Sequence, residues 1–500
     1  MLTAPQARGI FILMRSRLVS VVLSGAVLGG SLWVSVRPVG PLPPLGQLLD
    51  PVHGAWAAAS HGQLPRDARA TIPALRSSVD VRFDLRGVPH IFATDEADAY
   101  RALGYTVARD RLFQLDLQTR ASSGRLTEFG GARVLALAQQ TRRLGMPRAA
   151  ERRLAAVDTA SAAWRMVEAF SDGVNAYIDA LTPAEWPVEY RLLGQRPERW
   201  KPINSLYLFN RMGWTLTYFP DELIRLAARA RVGKAAESIF PLNSPIQEPI
   251  QPNGQTSPRF DFVPIVAPGA PDSSQAAIAS LLSALSPPGE TEEGDRRHFA
   301  SNNWAVAPSR SKNGHALLAN DPHLELSLPS IWYEAHLVVP GALDVYGVTI
   351  PGASGIVLGF NRDVAWGFTN TGADVVDFYR ETVDDAEHPA RYKLDGAWHP
   401  MELRVEVYRG PHGDTIHTDT VRYTHRGPLT SVRGQWVSMR WMVLEPSNES
   451  QAFYESSHAT SARAFLDAMA RSYFAPAQNM LVADRKGTIA MRSTGHYDLY

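Results

Sequence analysis

Two groupings of residues in this sequence are of types that can do chemistry. The first is a single serine, Ser301 in "RHFASNNW", where a Pro- and acid-rich stretch ends abruptly. A serine hydroxyl is a poor nucleophile until a base lies within hydrogen-bond reach, and Ser-His-Asp triads bring that base from elsewhere in the chain. No G-x-S-x-G elbow supports that solution here. A serine that becomes the first residue of a chain has another solution, because its own α-amino group, with an ordinary pKa of about 7.7 to 8.0, can take the proton. The second grouping is Asp374 and Asp377 around Val376 in "GADVVDFY". Carboxylates three apart with a backbone carbonyl between them can converge on a hard cation. Ca²⁺ takes about six to eight oxygens, so a distant carboxylate is also needed; without one the pair is a solvated acidic turn.

The elements that would position these residues fall into two halves. "VDVRFDLRGVPHIFA" alternates apolar and polar residues about Arg86-Gly87 and predicts a β-hairpin. In the following stretch Leu103, Val107, Ala108, Leu112 and Leu115 recur at helical spacing. Helical patterning continues from Ala149 to Leu181 and from Ile203 to Thr217, so the first half is mainly helical. Pro, Ser, Gly and acidic residues dominate from about Pro241 to Glu293, too polar to fold alone, with one short helix expected in "AAIASLLSAL". After Ser301 the pattern turns to strands: "SNNWAVAP", "HALLAND", "IWYEAHLVVPG", "DVYGVTIPG", "GIVLGF" and "VAWGFTN" are short, β-rich and punctuated by Gly and Pro.

The 500 residues exceed one ordinary core. Lys+Arg and Asp+Glu are balanced at 50 each, which argues against nucleic acid as a partner. Cysteine is absent, which excludes disulfides, thiolate metal sites and a Cys nucleophile. Arg15 and Arg17 precede "LVSVVLSGAVLGGSLWVSV", an uncharged run followed by Arg37 and a Pro-rich stretch. It is long enough to span a bilayer and predicts an exported protein, held to the membrane by this segment or released by cleavage of a signal.

"SNNWAVAPSRSKNGHALLANDPHLELSLPSIWYEAHL" resembles the start of the catalytic β-chain of the penicillin acylases, which are N-terminal nucleophile hydrolases. "GVPHIFATDEADAYRALGYTVARDRLFQLDLQTRASSGRLTEFGG" resembles the opening of their α-chain. The resemblance runs from about Val79 to Tyr500 with the spacer in the expected place. It implies an α+β fold, the four-layer α/β/β/α sandwich of these hydrolases, with a helical α-chain wrapped on a sheet-rich β-chain. It divides the chain into 1–37 (anchor or signal), 38–77 (tether), 78–240 (α-chain), 241–300 (spacer) and 301–500 (β-chain). It also implies self-cleavage between Ala300 and Ser301, after which the two chains stay associated.

Residue by residue, the resemblance makes Ser301 the nucleophile and its freed amine the base. The backbone N–H of Asn370 and the side-chain amide of Asn479 match the oxyanion donors. His323 matches a position beside the nucleophile that is Gln or His among members, a supporting polar role. Glu222 matches the distant carboxylate that completes a structural calcium site with Asp374, Val376 and Asp377. His90, His336 and His496 have no assigned chemistry. The implied reaction is hydrolysis of a small acylated amide, such as a penicillin-type β-lactam or an N-acyl-homoserine lactone, through a serine ester. The rival readings are a catalytically inactive, membrane-tethered protein that binds acylated ligands, and an envelope scaffold without a ligand. Members of the family continue for several hundred residues beyond the point matching "TGHYDLY". The resemblance therefore implies either a fragment of a longer precursor or a shortened relative lacking elements that close the sandwich.

Overall fold

The alternation about Arg86-Gly87 does form a hairpin: β1 (Asp80–Phe83) pairs antiparallel with β2 (Pro89–Phe92), and Gly87 takes the left-handed φ of 78° that the turn requires. The computed structural model describes residues 4–37, 39, 44–51, 54–56, 59, 67–218, 221–239, 301–324, 326–432 and 435–496. Ala300 and the helix expected in "AAIASLLSAL" lie outside these residues. The described chain divides into two units, Met1–Pro73 with Asn175–Arg199, and Ala74–Val174 with Trp200–Tyr500. The first carries helix α1 (Ala4–Val36), whose stretch Val19–Val36 has a mean hydropathy of 1.8. At 1.5 Å per residue this stretch is about 27 Å long, close to the thickness of a bilayer core.

In the second unit, helix α2 (Glu96–Ser122) starts where Asp95 accepts a hydrogen bond from the Asp98 N–H. Leu103, Val107, Ala108, Leu112 and Leu115 are all buried, as their spacing predicts. Helix α3 (Leu135–Arg143) follows. The helical pattern expected from Ala149 to Leu181 is two helices, α4 (Met146–Ala156) and α5 (Ala162–Ala180). The break at "VDTAS" has a local cause: Asp158 accepts from the Ala160 N–H and Ser161 Oγ from the Trp164 N–H, satisfying donors at the start of α5. Helices α6 (Pro202–Thr217) and α7 (Asp221–Val232) complete this half.

Strand β3 (Ser301–Val306) and β4 (Leu317–Pro322) form an antiparallel hairpin that pairs Ser301 with Pro322. Then come β5 (Tyr333–Val339), β6 (Leu343–Thr349), β7 (Leu358–Asn361), β8 (Val364–Asn370) and β9 (Val376–Glu381). A β-rich segment contributes β10 (Arg391–Leu394), β11 (Ala397–Pro400), β12 (Glu402–Arg409), β13 (Thr415–Tyr423), β14 (Pro428–Val432) and β15 (Gln435–Trp441). Helices α8 (Glu449–Ser457) and α9 (Ala462–Ser472) precede β16 (Gln478–Asp484) and β17 (Ile489–Thr494). The two helices interrupt a half that reads as mainly sheet, and each has a side-chain cap, Asn448 and Ser461.

Eight strands make the main sheet in the order β1-β2-β5-β6-β7-β8-β16-β17, antiparallel except where β2 meets β5. Along β8 the side chains alternate between two layers. Trp366 and Phe368 pack against Phe465 of α9, with ring centroids 5.3 and 6.3 Å apart. Gly367 faces the other way, so close to β4 that a Cβ there would stand 2.5 Å from the Asn320 Cβ. Helices thus cover one face of the sheet and the β3–β4 hairpin meets the other. The fold is α+β. Trp304 and Leu317, on the outer face of the hairpin, are about half exposed.

A second sheet, in the order β12-β13-β14-β15-β9, is joined to α3 and α4 by charge pairs. Arg142 Nη1 donates to Glu406 at 2.9 Å, Arg148 Nε to Glu402 at 2.7 Å, and Arg404 spans Glu151 and Glu406. A further link crosses from α2 to α8. Glu96 accepts from the Tyr454 hydroxyl at 3.1 Å and stands 3.1 Å from His458 Nε2, while His458 Nδ1 lies 2.8 Å from the Tyr454 carbonyl. Burial pulls the His458 pKa down, but its bonds to Glu96 and the Tyr454 carbonyl outweigh that and leave it raised. The Glu96 carboxyl is lowered, because the bond from His458 outweighs burial.

The raised histidine stabilises the fold fully below its ordinary pKa of about 6.5, and that contribution is lost as pH rises through the higher folded value. The lowered carboxylate contributes above its ordinary value of about 4.3, and loses that contribution as pH falls through its folded value. Glu96→Gln is therefore expected to cost about 1 kcal/mol near pH 5.5 to 6 and much less at pH 9. Thermal melts of both proteins across that range check this, and a pH-independent difference would refute the ion pair.

Candidate active site

Ser301 is the first residue of β3, and its Oγ accepts a hydrogen bond from the His323 backbone N–H at 3.2 Å. That contact comes from the chain just past the end of β4, so the hairpin itself fixes the hydroxyl. The His323 ring is turned elsewhere, with Nε2 2.9 Å from an Asp321 carboxylate oxygen on the exposed side of the hairpin. His323 therefore meets the serine through its backbone, while its ring pairs with Asp321.

Ser301 lines a narrow cavity of about 70 Å³ that opens to solvent at its mouth. Asn370, the last residue of β8, shares its wall, and most of the rest is apolar, including Phe209, Met212, Trp332, Phe368 and Phe453. Among the described residues no Lys, Arg or His lines it. The Asn370 side chain is committed to the helical layer, its Nδ2 donating to the Leu216 carbonyl of α6 at 2.7 Å. Its backbone is differently placed. The Thr371 N–H points to the Ala477 carbonyl, and the register pairs Thr369 with Asn479 and Asn370 with Gln478. In an antiparallel ladder alternate residues turn their peptide groups to opposite edges, so the Asn370 N–H points away from β16.

Asn479 sits across from Thr369 on β16. Its Oδ1 accepts from Ser493 Oγ at 2.5 Å, which orients the amide. Its Nδ2 makes only long contacts, 3.3 Å to Thr369 Oγ1 and 3.4 Å to the Asn370 carbonyl. Asn303, on the same inward face of β3 as Ser301, reaches the Asn479 and Gly367 carbonyls at 3.5 Å. The structure thus brings Ser301 and Asn370 to one cavity and places Asn479 beside Asn370. A hydroxyl, a backbone N–H and a lightly held amide in this arrangement suit attack on a carbonyl and stabilisation of the oxyanion that follows.

Sequence reasoning missed Glu449, a buried carboxylate in the cavity wall. It accepts from the Phe474 and Ala475 N–H groups at 3.3 Å and from Ser447 Oγ at 2.9 Å, and lies 3.9 Å from Arg153. Burial, with the Glu449 charge adding, raises the pKa of the neighbouring Tyr473 phenol well above its ordinary value, so it stays neutral.

Of the cation ligands expected from sequence, Asp374, Val376 and Asp377 are not in the wall of this cavity. Asp377 is buried on β9, Val376 begins that strand, and Asp374 is exposed in the turn before it. Glu222 lies in α7, with its side chain outside the described residues. No group of three or more His, Asp or Glu is gathered for a metal among the described residues. His90 and His336 face each other across β2 and β5 with Nδ1 atoms 3.0 Å apart, and His496 stacks on Phe474.

Comparison with known proteins gives a consistent result. The family model described as penicillin amidase matches residues 78–499. The penicillin acylase 2 proenzyme of Pseudomonas sp. (strain SE83) is 34% identical over 367 residues, covering 73% of this chain and 45% of its own. The acyl-homoserine lactone acylase QuiP of Pseudomonas aeruginosa is 30% identical over 459 residues, covering 87% and 51%. Among solved structures, a thermostable penicillin G acylase from Alcaligenes faecalis aligns with a TM-score of 0.35 and 27% identity, over 39% of this chain and 35% of that one. The chain spans about half the length of the curated relatives it matches.

Proposed function

The chain belongs to the penicillin amidase family, and from that premise we propose that it is a self-cleaving amidohydrolase acting on small molecules acylated with an apolar group. The observation that carries this reading is Ser301, opening a strand at the wall of an apolar cavity with its hydroxyl already held by a backbone N–H. Cleavage between Ala300 and Ser301 frees the α-amine, which takes the proton as Oγ attacks the amide carbonyl. The Asn370 N–H and Asn479 Nδ2 hold the negative charge on the carbonyl oxygen. Collapse releases the amine and leaves an ester on Ser301, and water then attacks that ester to release the acid.

Among the described residues no Lys, Arg or His lines the cavity, and the one carboxylate in its wall, Glu449, is already set against Arg153 3.9 Å away. Aryl-acetyl and medium alkanoyl groups fit that lining, whereas dicarboxylic half-amides would bury an unpaired charge. The relatives' names, penicillin acylase and acyl-homoserine lactone acylase, supply two substrate classes to test. N-terminal sequencing of the purified protein should find a chain beginning Ser-Asn-Asn-Trp, and that preparation should hydrolyse phenylacetyl or hexanoyl 4-nitroanilide. Turnover by wholly uncut protein would refute the mechanism. The reading places catalysis outside the cytoplasm, with Val19–Val36 acting as anchor or signal.

Calcium belongs to the same proposal on the chemistry of its donors: the Asp374 and Asp377 carboxylates and the Val376 carbonyl, with Glu222 from the other side of the spacer. The ion would join α- and β-chain regions and take no part in the amide chemistry. About one Ca²⁺ per molecule should survive dialysis, and Asp377→Ala should abolish its retention. Equal calcium in the two proteins would remove the assignment. Chelation should lower the melting temperature more than it changes kcat, because a ligand bound only by the folded state stabilises by mass action.

A further inference from the structure

Between the nucleophile and the oxyanion strand stands a residue that no chemical role accounts for. Asn320 lies on β4, facing inward, and all of its amide is used across the layers. Its Oδ1 accepts from the Phe368 N–H at 3.1 Å, and its Nδ2 donates to the Phe368 carbonyl at 3.0 Å. The same Nδ2 donates to the Asn302 carbonyl of β3 at 3.1 Å. One side chain therefore imitates a strand residue toward β8 while tying β4 to the residue after the nucleophile.

The position on β8 gives this bond its meaning. Ladder alternation turns the peptide groups of Phe368 and Asn370 to the edge away from β16. On that edge β7 pairs only with Ala365 and Trp366. Asn320 fills the next rung, at Phe368, and the following N–H on the same edge is that of Asn370. The hairpin matches this spacing, because Asn320 is one two-residue step from Pro322, the cross-strand partner of Ser301. From the Asn320–Phe368 anchor, nucleophile and oxyanion donor each lie one step of about 7 Å along their strands. Gly367 permits the approach, since a Cβ there would meet Asn320 Cβ, Cγ and Oδ1 at 2.5 to 2.8 Å.

We infer that Asn320 is a positioning residue for the acyl-transfer reaction: it locks the hairpin bearing Ser301 to β8 so that the hydroxyl and the Asn370 N–H converge on one carbonyl. The inference rests on the amidohydrolase reading given above. A misplacement of about 1 Å between reacting groups costs up to about 100-fold in rate. Binding of the acyl group to the apolar wall needs no such alignment.

The test is steady-state kinetics of mature Asn320→Asp, Asn320→Ala and Gly367→Ala on phenylacetyl 4-nitroanilide, with active sites counted by a sulfonyl fluoride. Asn320→Asp keeps the size but turns an anion toward two carbonyls, and Gly367→Ala displaces the amide while keeping every polar group. Gly367→Ala also decides the matter if the Asn320 variants do not fold. The expected result is kcat per titrated site lower by about 10- to 100-fold, KM within about 3-fold of the parent, and an unshifted pH profile. An unchanged kcat per site, or a rise in KM alone, in an active parent background overturns the positioning role and leaves the function standing. No turnover by the parent protein overturns the function, and this inference with it.

Discussion

Ser301→Ala is expected to yield a protein that remains uncut before residue 301 and hydrolyses no amide, a loss of at least about 10⁴-fold in kcat/KM. The reason is that one hydroxyl serves twice in the proposed mechanism. It attacks the Ala300 carbonyl, moving the upstream chain from nitrogen to oxygen as an ester that water then cleaves, and afterwards it attacks the substrate with the released amine as its base. The variant should fold, because Ser301 Oγ is an acceptor for one N–H, that of His323, at the mouth of an open cavity. Mass spectrometry of the intact protein and a 4-nitroanilide assay read both losses. Normal cleavage in the variant, or activity above about one per cent, would show that the nucleophile lies elsewhere.

Asn479→Ala is expected to lower kcat by about 100- to 1,000-fold while KM changes little, because the amide is asked to hold charge that exists only during the reaction. Of the two proposed oxyanion donors it is the one a substitution can remove, since the other is the backbone of Asn370. The bond from Ser493 fixes its orientation, and its own two N–H contacts are long enough to yield to a developing anion. Asn479→Asp should be at least as impaired, because it keeps the shape and replaces donors with a negative charge. Kinetics per titrated active site would decide, and a purely raised KM would assign Asn479 to substrate binding.

The candidate residues were more legible in the sequence than the structure around them. Ser301 stands out because an acidic, Pro-rich stretch stops at it, and helix α2 because five apolar residues keep one helical face that is wholly buried. Each of those signals is local. Asn320 in "LLAND" looks like a strand-end residue, and its meaning lies in Phe368, 48 residues away. The cavity draws its wall from Phe209 to Gln478, so no window of sequence displays it. The division of the expected 149–181 helix was legible in principle, since Asp158 and Ser161 are capping residues. Helices α8 and α9 announce themselves in the same way through Asn448 and Ser461, inside a half whose composition reads as strand. Glu449 escaped notice because a buried carboxylate cannot be told from a surface one without its partners.

The one parallel pairing in the main sheet, between β2 and β5, joins residues 90–92 to residues 336–338. The central sheet is therefore shared between two polypeptides once the bond before Ser301 is broken. Before the cut, unfolding is a unimolecular event and the spacer holds the two pieces at an effective concentration of about millimolar. Afterwards unfolding is a dissociation, and at about micromolar protein the loss of that connection amounts to about 4 kcal/mol. The melting temperature of the mature form should rise with protein concentration whereas that of Ser301→Ala should not. Recovery after dilution from denaturant should be second order for the cut protein and first order for the uncut one. Maturation would then be a one-way gate, in which the precursor carries the information for assembly and the product survives on the height of its unfolding barrier.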